Sequence, residues 1–141
     1  MAKKLFIFED DKFNRFFPLT LNRPVYELLF GMRRIREKIS SLVPNADVAL
    51  LCRDYLEKVL EQTTGKRVNY FQVEDDDDVL LVNGRLVPSS GFSNTLDSPK
   101  ESTLFLSGDE MVAWQGRGKA FKNLLSIFQH LYPKDQIAQL K

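Results

Sequence analysis

Polar and charged residues follow two apolar runs of the chain, and their types suit the binding of metals or phosphates. Residues 9–11 read Glu-Asp-Asp and follow the apolar run at 5–8, whereas residues 83–85 read Asn-Gly-Arg and follow the run at 79–82. Carboxylate oxygens are ligands that Mg²⁺ takes together with substrate phosphates. The guanidinium of Arg85 is a permanent cation that binds phosphate in bidentate fashion. The two clusters therefore predict a site for a hard cation, a phosphate group or both.

The two clusters are expected at one edge of a sheet. Continuous apolar runs such as 5–8 and 79–82 are typical of parallel strands that are buried on both faces. In open α/β sheets, ligands bind beyond the carboxyl ends of the strands, which is where Asp10, Asn83 and Arg85 would lie. The alternative, that the acids only end a strand in solvent, stays open at this point.

The remaining elements predict an α/β fold. A helix is indicated by apolar residues three and four apart between Val25 and Leu42, and further strands are indicated at 47–52 and 67–73. Asp54 is predicted to cap a short helix that Gly65 closes. Because strands and helices alternate, we expect a mostly parallel sheet with helices on both faces.

The segments outside these units are loops, a hairpin and a final helix. Residues 12–24 are expected to form a long ordered loop, because Pro18 and Pro24 oppose a helix. Residues 88–102 also read as a loop, and the runs at 103–106 and 111–114 predict an antiparallel edge hairpin. A last amphipathic helix is predicted from residue 121 until Pro133 ends it.

Composition and charge exclude several classes of protein. With 20 basic and 19 acidic residues, the 141-residue chain has a formal net charge of +1, whereas a general nucleic-acid binder carries a basic excess. The single cysteine, Cys52, excludes a disulfide framework and a zinc site built on paired cysteines. No segment is long enough to span a bilayer. We expect residues 1–141 to form one cytoplasmic domain without membrane or nucleic-acid partners, either by itself or as the truncated N-terminal part of a longer protein.

Separated motifs occur in the order in which a known family carries them. They are Phe8-Glu9-Asp10, Pro18-Leu19-Thr20, Arg23-Pro24-Val25-Tyr26-Glu27-Leu28, Gly31 with Arg36-Glu37-Lys38, and Asn83-Gly84-Arg85-Leu86. Together they resemble the sugar nucleotidyltransferase-like proteins, and in particular the N-terminal domain of bifunctional UDP-N-acetylglucosamine pyrophosphorylase/glucosamine-1-phosphate acetyltransferase enzymes. The resemblance covers most of the chain and is strongest at residues 5–38 and 79–88.

The resemblance implies a Rossmann-like nucleotidyltransferase fold and a specific chemistry. A sugar 1-phosphate would attack the α-phosphate of a nucleoside triphosphate, with magnesium and cationic side chains offsetting charge as pyrophosphate leaves. Thr20 and Arg23 would contact phosphate or base, Asn83 and Arg85 would contact the nucleotide sugar or a phosphate, and Asp10 would help to place magnesium. An acyltransferase domain or a second copy of the chain would be its protein partner.

The chain departs from the family pattern at two places. Residues 9–15 contain no glycine, although classical members carry a glycine-rich phosphate-binding loop after the first strand. Arg85 stands where classical members have a metal-binding aspartate, and a guanidinium has no lone pair for a metal. The expectation is therefore either an altered transferase or a domain that binds a sugar nucleotide without turnover.

Other interpretations concern the same segments. A non-catalytic docking module would expose an aromatic loop formed by Phe13, Phe16 and Phe17. A receiver-like phosphoacceptor domain is a minor alternative, because acids also follow its first strand. The backbone amides at 116–119 could hold a phosphate at a helix N-terminus, although the exit of a hairpin explains this segment better.

Overall fold

The mostly parallel sheet predicted from the sequence is present in the computed structural model, which describes residues 3–70, 72–88 and 102–131. Six strands form one sheet in the order β5-β4-β1-β6-β8-β7. They are β1 (Lys3–Phe8), β4 (Asp47–Leu50), β5 (Arg67–Val68), β6 (Asp78–Asn83), β7 (Thr103–Ser107) and β8 (Glu110–Arg117). The pairs formed among β1, β4, β5 and β6 are parallel, whereas β8 and β7 add an antiparallel edge. The predicted edge hairpin is confirmed.

Helices cover both faces of this sheet, as predicted. They are α1 (Ile35–Ser40), α2 (Glu57–Thr64) and α3 (Gly118–Leu131). Leu5 and Ile7 of β1 face a core that includes residues of α1 and α2. Phe6 and Phe8 face the opposite core, where the ring of Phe6 stacks on that of Phe121 in α3 with ring centroids 4.7 Å apart. The alternation of side chains along β1 therefore supplies two cores from one strand.

The single long helix predicted between Val25 and Leu42 is wrong. This segment contains a 3-10 turn at Val25–Glu27, a small antiparallel hairpin of β2 (Leu29–Phe30) and β3 (Arg33–Arg34), and then α1. Gly31 turns the hairpin with a φ of 72°, a conformation that breaks a helix. Leu29 and Met32, which the prediction placed on a buried helix face, are exposed.

Ion pairs connect β3 and α1 to the 3-10 turn at Val25–Glu27. Arg36 pairs with Glu27, and both side chains are mostly buried. Arg34 also pairs with Glu27, at 3.4 Å. This ion-pair group links α1 to the 3-10 turn that precedes the hairpin.

Three further local predictions differ from the structure. The predicted loop at 12–24 begins with a 3-10 helix (Asp11–Phe16), since the two prolines restrict only the later residues and Asp10 caps the turn. Asp54 caps no helix, because it is the first residue of a 3-10 turn whose N-cap is Arg53, and the N-cap of α2 is Leu56. The strand predicted at 67–73 stops at Val68 because Asn69 adopts a φ of 53°.

The predicted end of α2 is confirmed, whereas parts of two other predictions lie outside the described residues. Gly65 ends α2 in the left-handed conformation, with a φ of 67°. Residues 89–101 of the predicted loop, Pro133 and the side chains at 125–131 fall outside the described part of the chain.

The start of α3 is closed by the acidic segment that precedes β6. The amide of Gly118 donates to the carbonyl of Asp77 at 2.9 Å, and that of Lys119 donates to the carbonyl of Asp75 at 3.2 Å. Asp77 is buried, and its carboxylate accepts from the amide of Glu74. The acidic segment therefore accepts hydrogen bonds from the first amides of α3. These two amides are not available to bind a phosphate.

Gly84 places the residues after β6 against β1 and the 3-10 turn at Val25–Glu27. Its amide donates to the carbonyl of Phe8 at 2.7 Å. A Cβ atom at this position would lie 2.5 Å from Cδ1 of Tyr26 and 3.0 Å from the carbonyl oxygen of Phe8. Because Tyr26 is fully buried, its ring has no open space into which to move.

We expect Gly84→Ala to lower the free energy of unfolding by about 3 kcal/mol, at the upper end of the usual cost of overpacking. Urea denaturation of the purified variant measures this loss. Gly108→Ala is the control, because that glycine has a φ of 62° with nothing within 4 Å of the added Cβ, so only backbone strain of about 1 kcal/mol remains. Equal losses for the two variants would contradict the packing argument.

Candidate functional site

The carboxyl ends of the central parallel strands meet at one edge of the sheet. The amide of Leu51, just after β4, donates to the carbonyl of Ile7 at 2.8 Å, and Gly84 bonds to Phe8 on the other side of β1. The antiparallel strand β8 begins at this same edge with Glu110, since its Ala113 pairs with Val82 near the end of β6. The segments after β1, β4 and β6 are therefore neighbours.

Asp10, Asn83 and Arg85 come together at this edge, as the sequence predicts. Nε of Arg85 lies 3.0 Å and Nη2 lies 2.6 Å from Oδ2 of Asp10. Nδ2 of Asn83 donates to the same oxygen at 3.0 Å and to the carbonyl of Met111 at 3.0 Å. The other carboxylate oxygen of Asp10 accepts from the amide of Lys12. The predicted cluster is thus a connected network.

Two residues that the sequence analysis did not select extend this network. Nη2 of Arg85 also lies 3.0 Å from Oε2 of Glu110, and Nη1 of Arg15 lies 4.0 Å from Oε1 of the same carboxylate. Asp10, Arg15, Arg85 and Glu110 form what we call the edge network. It contains two cations and two anions.

The electrostatics of the edge network favour its ionised form. Burial raises the pKa of Asp10, but hydrogen bonds from Arg85, Asn83 and the Lys12 amide, with the charge of Arg85, outweigh this effect and leave the pKa below its ordinary value of 3.8. Hydrogen bonds to Asp10 raise the pKa of Arg85, and Glu110 adds to this effect against desolvation.

The geometry of Asp10 does not fit a magnesium ligand. Both of its oxygens are hydrogen-bonded to protein groups, and its strongest partner is a cation. Among the residues that the structure describes, no group of three or more His, Cys, Asp or Glu side chains could hold a metal ion. Magnesium at Asp10 is thus a prediction from the family resemblance that this geometry does not support, and no step of the chemistry is assigned to it.

A buried ion pair lies beside the edge network. Nε and Nη2 of Arg53 each lie 3.0 Å from an oxygen of Glu9, and the two side chains are 3% and 2% exposed. Burial raises the pKa of Glu9, and the bidentate contact with Arg53 opposes this shift. Because Glu9 is enclosed in this way, it is not available to a solvent-facing ligand.

Arg53 also fixes the segment at 17–24. Its Nη2 donates to the backbone carbonyls of Thr20 and Arg23, the second at 3.1 Å. Its guanidinium lies over the ring of Phe13, 4.1 Å from the centroid. The hydroxyl of Thr20 donates to the carbonyl of Phe13 at 2.6 Å. One side chain after β4 thus holds the loop after β1 in place.

Thr20 and Arg23 do not join the edge network through their side chains. Thr20 is fully buried, and its hydroxyl closes the loop instead of facing solvent. The side chain of Arg23 is exposed and contacts Asn22, while its carbonyl meets Arg53. Of the residues selected from the sequence, Asp10, Asn83 and Arg85 are the ones that the structure brings into contact.

The aromatic loop is only partly exposed. Phe13 is buried, Phe16 is half-buried, and Phe17 is 44% exposed. The apolar surface on which the docking interpretation rests is therefore reduced to one of its three phenylalanines.

Arg53, Arg15 and Glu110 carry no motif that would have marked them in advance. Arg53 directly follows the second apolar run, so the rule that ligands gather at strand ends gave a signal for it. The same rule does not indicate Glu110, which begins an antiparallel strand. The end of the sheet at which such a strand begins depends on how all the strands pair.

Comparison with known families gives one match and one negative result. The family model described as sugar nucleotidyl transferase matches residues 5–138. No curated protein matches the chain. The narrower resemblance to UDP-N-acetylglucosamine enzymes stays a prediction.

No helix in the described part of the chain is long and apolar enough to cross a membrane.

We expect Arg53→Met to lower the free energy of unfolding by about 3–5 kcal/mol, because Glu9 would be left buried without its partner. Denaturant unfolding at neutral pH measures the loss. The double variant Glu9→Gln/Arg53→Met should recover part of it, since the uncompensated charge is gone. If the double variant lost more free energy of unfolding than the two single variants together, the result would contradict a favourable interaction between Glu9 and Arg53.

The pKa shift of Asp10 predicts a pH-dependent contribution to stability. Since its folded pKa lies below its ordinary value of 3.8, ionised Asp10 stabilises the protein above that pH, and this stability is lost as the pH falls through the folded pKa. Asp10→Asn should therefore be less stable than the wild type at pH 7, by about 1–3 kcal/mol. Thermal unfolding from pH 7 to pH 3 should show this gap narrow below about pH 4; a constant gap would argue against the shift.

Proposed function

The chain belongs to the sugar nucleotidyl transferase family, and on this basis we propose that it binds a sugar nucleotide through phosphate contacts at the edge network. The observation that carries the proposal is the position of Arg85. This residue lies beyond the carboxyl end of β6, and its side chain is 18% exposed, so an anion arriving from solvent can reach it. The carboxyl edge of parallel strands is also where α/β proteins bind ligands.

Nucleotidyl transfer is the reaction that this ligand class supports. An oxygen of the sugar 1-phosphate would form a bond to the α-phosphorus of a nucleoside triphosphate. The bond between that phosphorus and the bridging oxygen would break, and pyrophosphate would leave with the electron pair. Arg85 and Arg15, which both contact Glu110, would offset negative charge on phosphate oxygens.

Binding without turnover is the alternative that the local structure favours at one point. Residues 11–16 form a 3-10 helix whose first turn is capped by Asp10, and residues 9–15 contain no glycine for a phosphate-binding loop after β1. Magnesium, a location in the cytoplasm, and a second copy or an acyltransferase domain as partner stay predictions.

A thermal-shift screen tests ligand binding directly. The panel contains UTP, dTTP, CTP, UDP-N-acetylglucosamine and sugar 1-phosphates, each with and without Mg²⁺. Ligand at about 100 times the dissociation constant stabilises the native state by about 2.7 kcal/mol, so a selective rise in Tm is expected for at least one member. Release of pyrophosphate from a triphosphate and a sugar 1-phosphate then separates turnover from binding. A flat panel would overturn the proposal.

Arg85→Gln should weaken binding of the panel member that gives the largest shift. Hydrogen bonds from a charged group contribute about 1.5–3 kcal/mol, which corresponds to roughly 10- to 100-fold in affinity. Isothermal titration calorimetry measures the change. Arg33→Gln is the matched control, because Arg33 is an exposed arginine that pairs with Glu37 on α1. An equal loss in both variants would show that the effect is one of overall charge.

A further inference from the structure

The edge network holds one of its carboxylates between two arginines. Oε2 of Glu110 contacts Arg85 at 3.0 Å, and Oε1 contacts Arg15 at 4.0 Å. A carboxylate and a phosphoryl group both offer several acceptor oxygens to guanidinium groups. The two arginines therefore flank a position that a negatively charged group, the Glu110 carboxylate, already occupies.

The two carboxylates of the network differ in how firmly they are held. The Asp10 side chain is 18% exposed and accepts hydrogen bonds from Arg85, Asn83 and the Lys12 amide. The Glu110 side chain is 44% exposed, and its carboxylate contacts the two arginines. Glu110 can exchange these contacts for water at low cost, whereas Asp10 would lose several hydrogen bonds at once.

From this difference we propose that Arg15 and Arg85 form a diphosphate-binding site that needs no divalent cation, in the place that the Glu110 carboxylate takes when no ligand is bound. This inference rests on the proposed function and adds how the phosphates are recognised. Asp10 is a positioning residue: it fixes the direction of the Arg85 guanidinium through bonds to Nε and Nη2.

The charges of the edge network agree with this assignment. With Glu110 in place, the two arginines are balanced by two carboxylates, so the network has no net charge. When Glu110 turns to solvent, the remaining three side chains carry a net charge of +1, which attracts an anion. Arg85 thereby supplies the positive charge that a metal ion would otherwise supply to the phosphates.

Calorimetric titration of the full chain with inorganic pyrophosphate tests this site without any dependence on base or sugar. We expect binding in EDTA, and no stronger binding when Mg²⁺ is added. Glu110→Gln should bind pyrophosphate about 3- to 10-fold more tightly than the wild type, because an internal competitor has been removed. Arg15→Gln and Arg85→Gln should each bind it more weakly.

Glu37→Gln is the matched control for Glu110→Gln. Glu37 also lies between two arginines, Arg33 and Arg34, and its side chain is 36% exposed, so the substitution removes the same charge from a similar setting on α1. Its affinity for pyrophosphate should stay within twofold of the wild type. Melting temperatures of all variants show that each is folded under the conditions of the titration.

Three results would overturn the inference. They are binding that appears only with Mg²⁺, equal effects of Glu110→Gln and Glu37→Gln, and no binding of pyrophosphate to the folded wild type or to Glu110→Gln. These results are independent of the thermal-shift panel. If they occurred, a sugar nucleotide that raises the Tm would still support the proposed function. If no ligand of the panel raised the Tm but pyrophosphate bound, the result would support the diphosphate site and reject the proposed binding of a sugar nucleotide.

Discussion

The buried pair of Glu9 and Arg53 is the interaction on which the carboxyl edge of this sheet depends. Each partner directly follows, or lies close after, a central strand, so the pair joins the segment after β1 to the segment after β4. Two charges removed from water are tolerated only when they are paired and further hydrogen-bonded. Arg53 meets this condition with backbone carbonyls of the loop after β1 and with the ring of Phe13.

This requirement explains why a loop containing two prolines has a defined course. Its carbonyls at Thr20 and Arg23 accept from the buried guanidinium of Arg53, as does the hydroxyl of Tyr55, and the hydroxyl of Thr20 ties the loop to Phe13. The residues that the family resemblance assigned to ligand contact in this loop therefore contribute to its shape. The edge network lies beside the buried pair of Glu9 and Arg53 and is more exposed than this pair.

Packing at β6 fixes the other half of the edge. Gly84 approaches Phe8 and the buried ring of Tyr26, whose hydroxyl donates to the carbonyl of Leu51 at 2.9 Å. Tyr26 thereby contacts the segments that follow both neighbours of β1. Since Arg85 is the next residue along the chain, the direction from which it reaches Asp10 follows from this close contact, which is mainly a steric constraint.

By itself, the sequence determined the parallel core of the sheet, its antiparallel hairpin, and the meeting of Asp10, Asn83 and Arg85 at one edge. These features depend on local apolar runs and on a general rule about strand ends, so they are visible without any contact information. Only the tertiary structure decided that Glu9 is buried against Arg53, that Glu110 joins Arg85, and that the segment after Val25 is a hairpin followed by a short helix. Each of these depends on pairs of residues far apart in the chain or, for the hairpin, on the backbone turn at Gly31, which side-chain periodicity does not report.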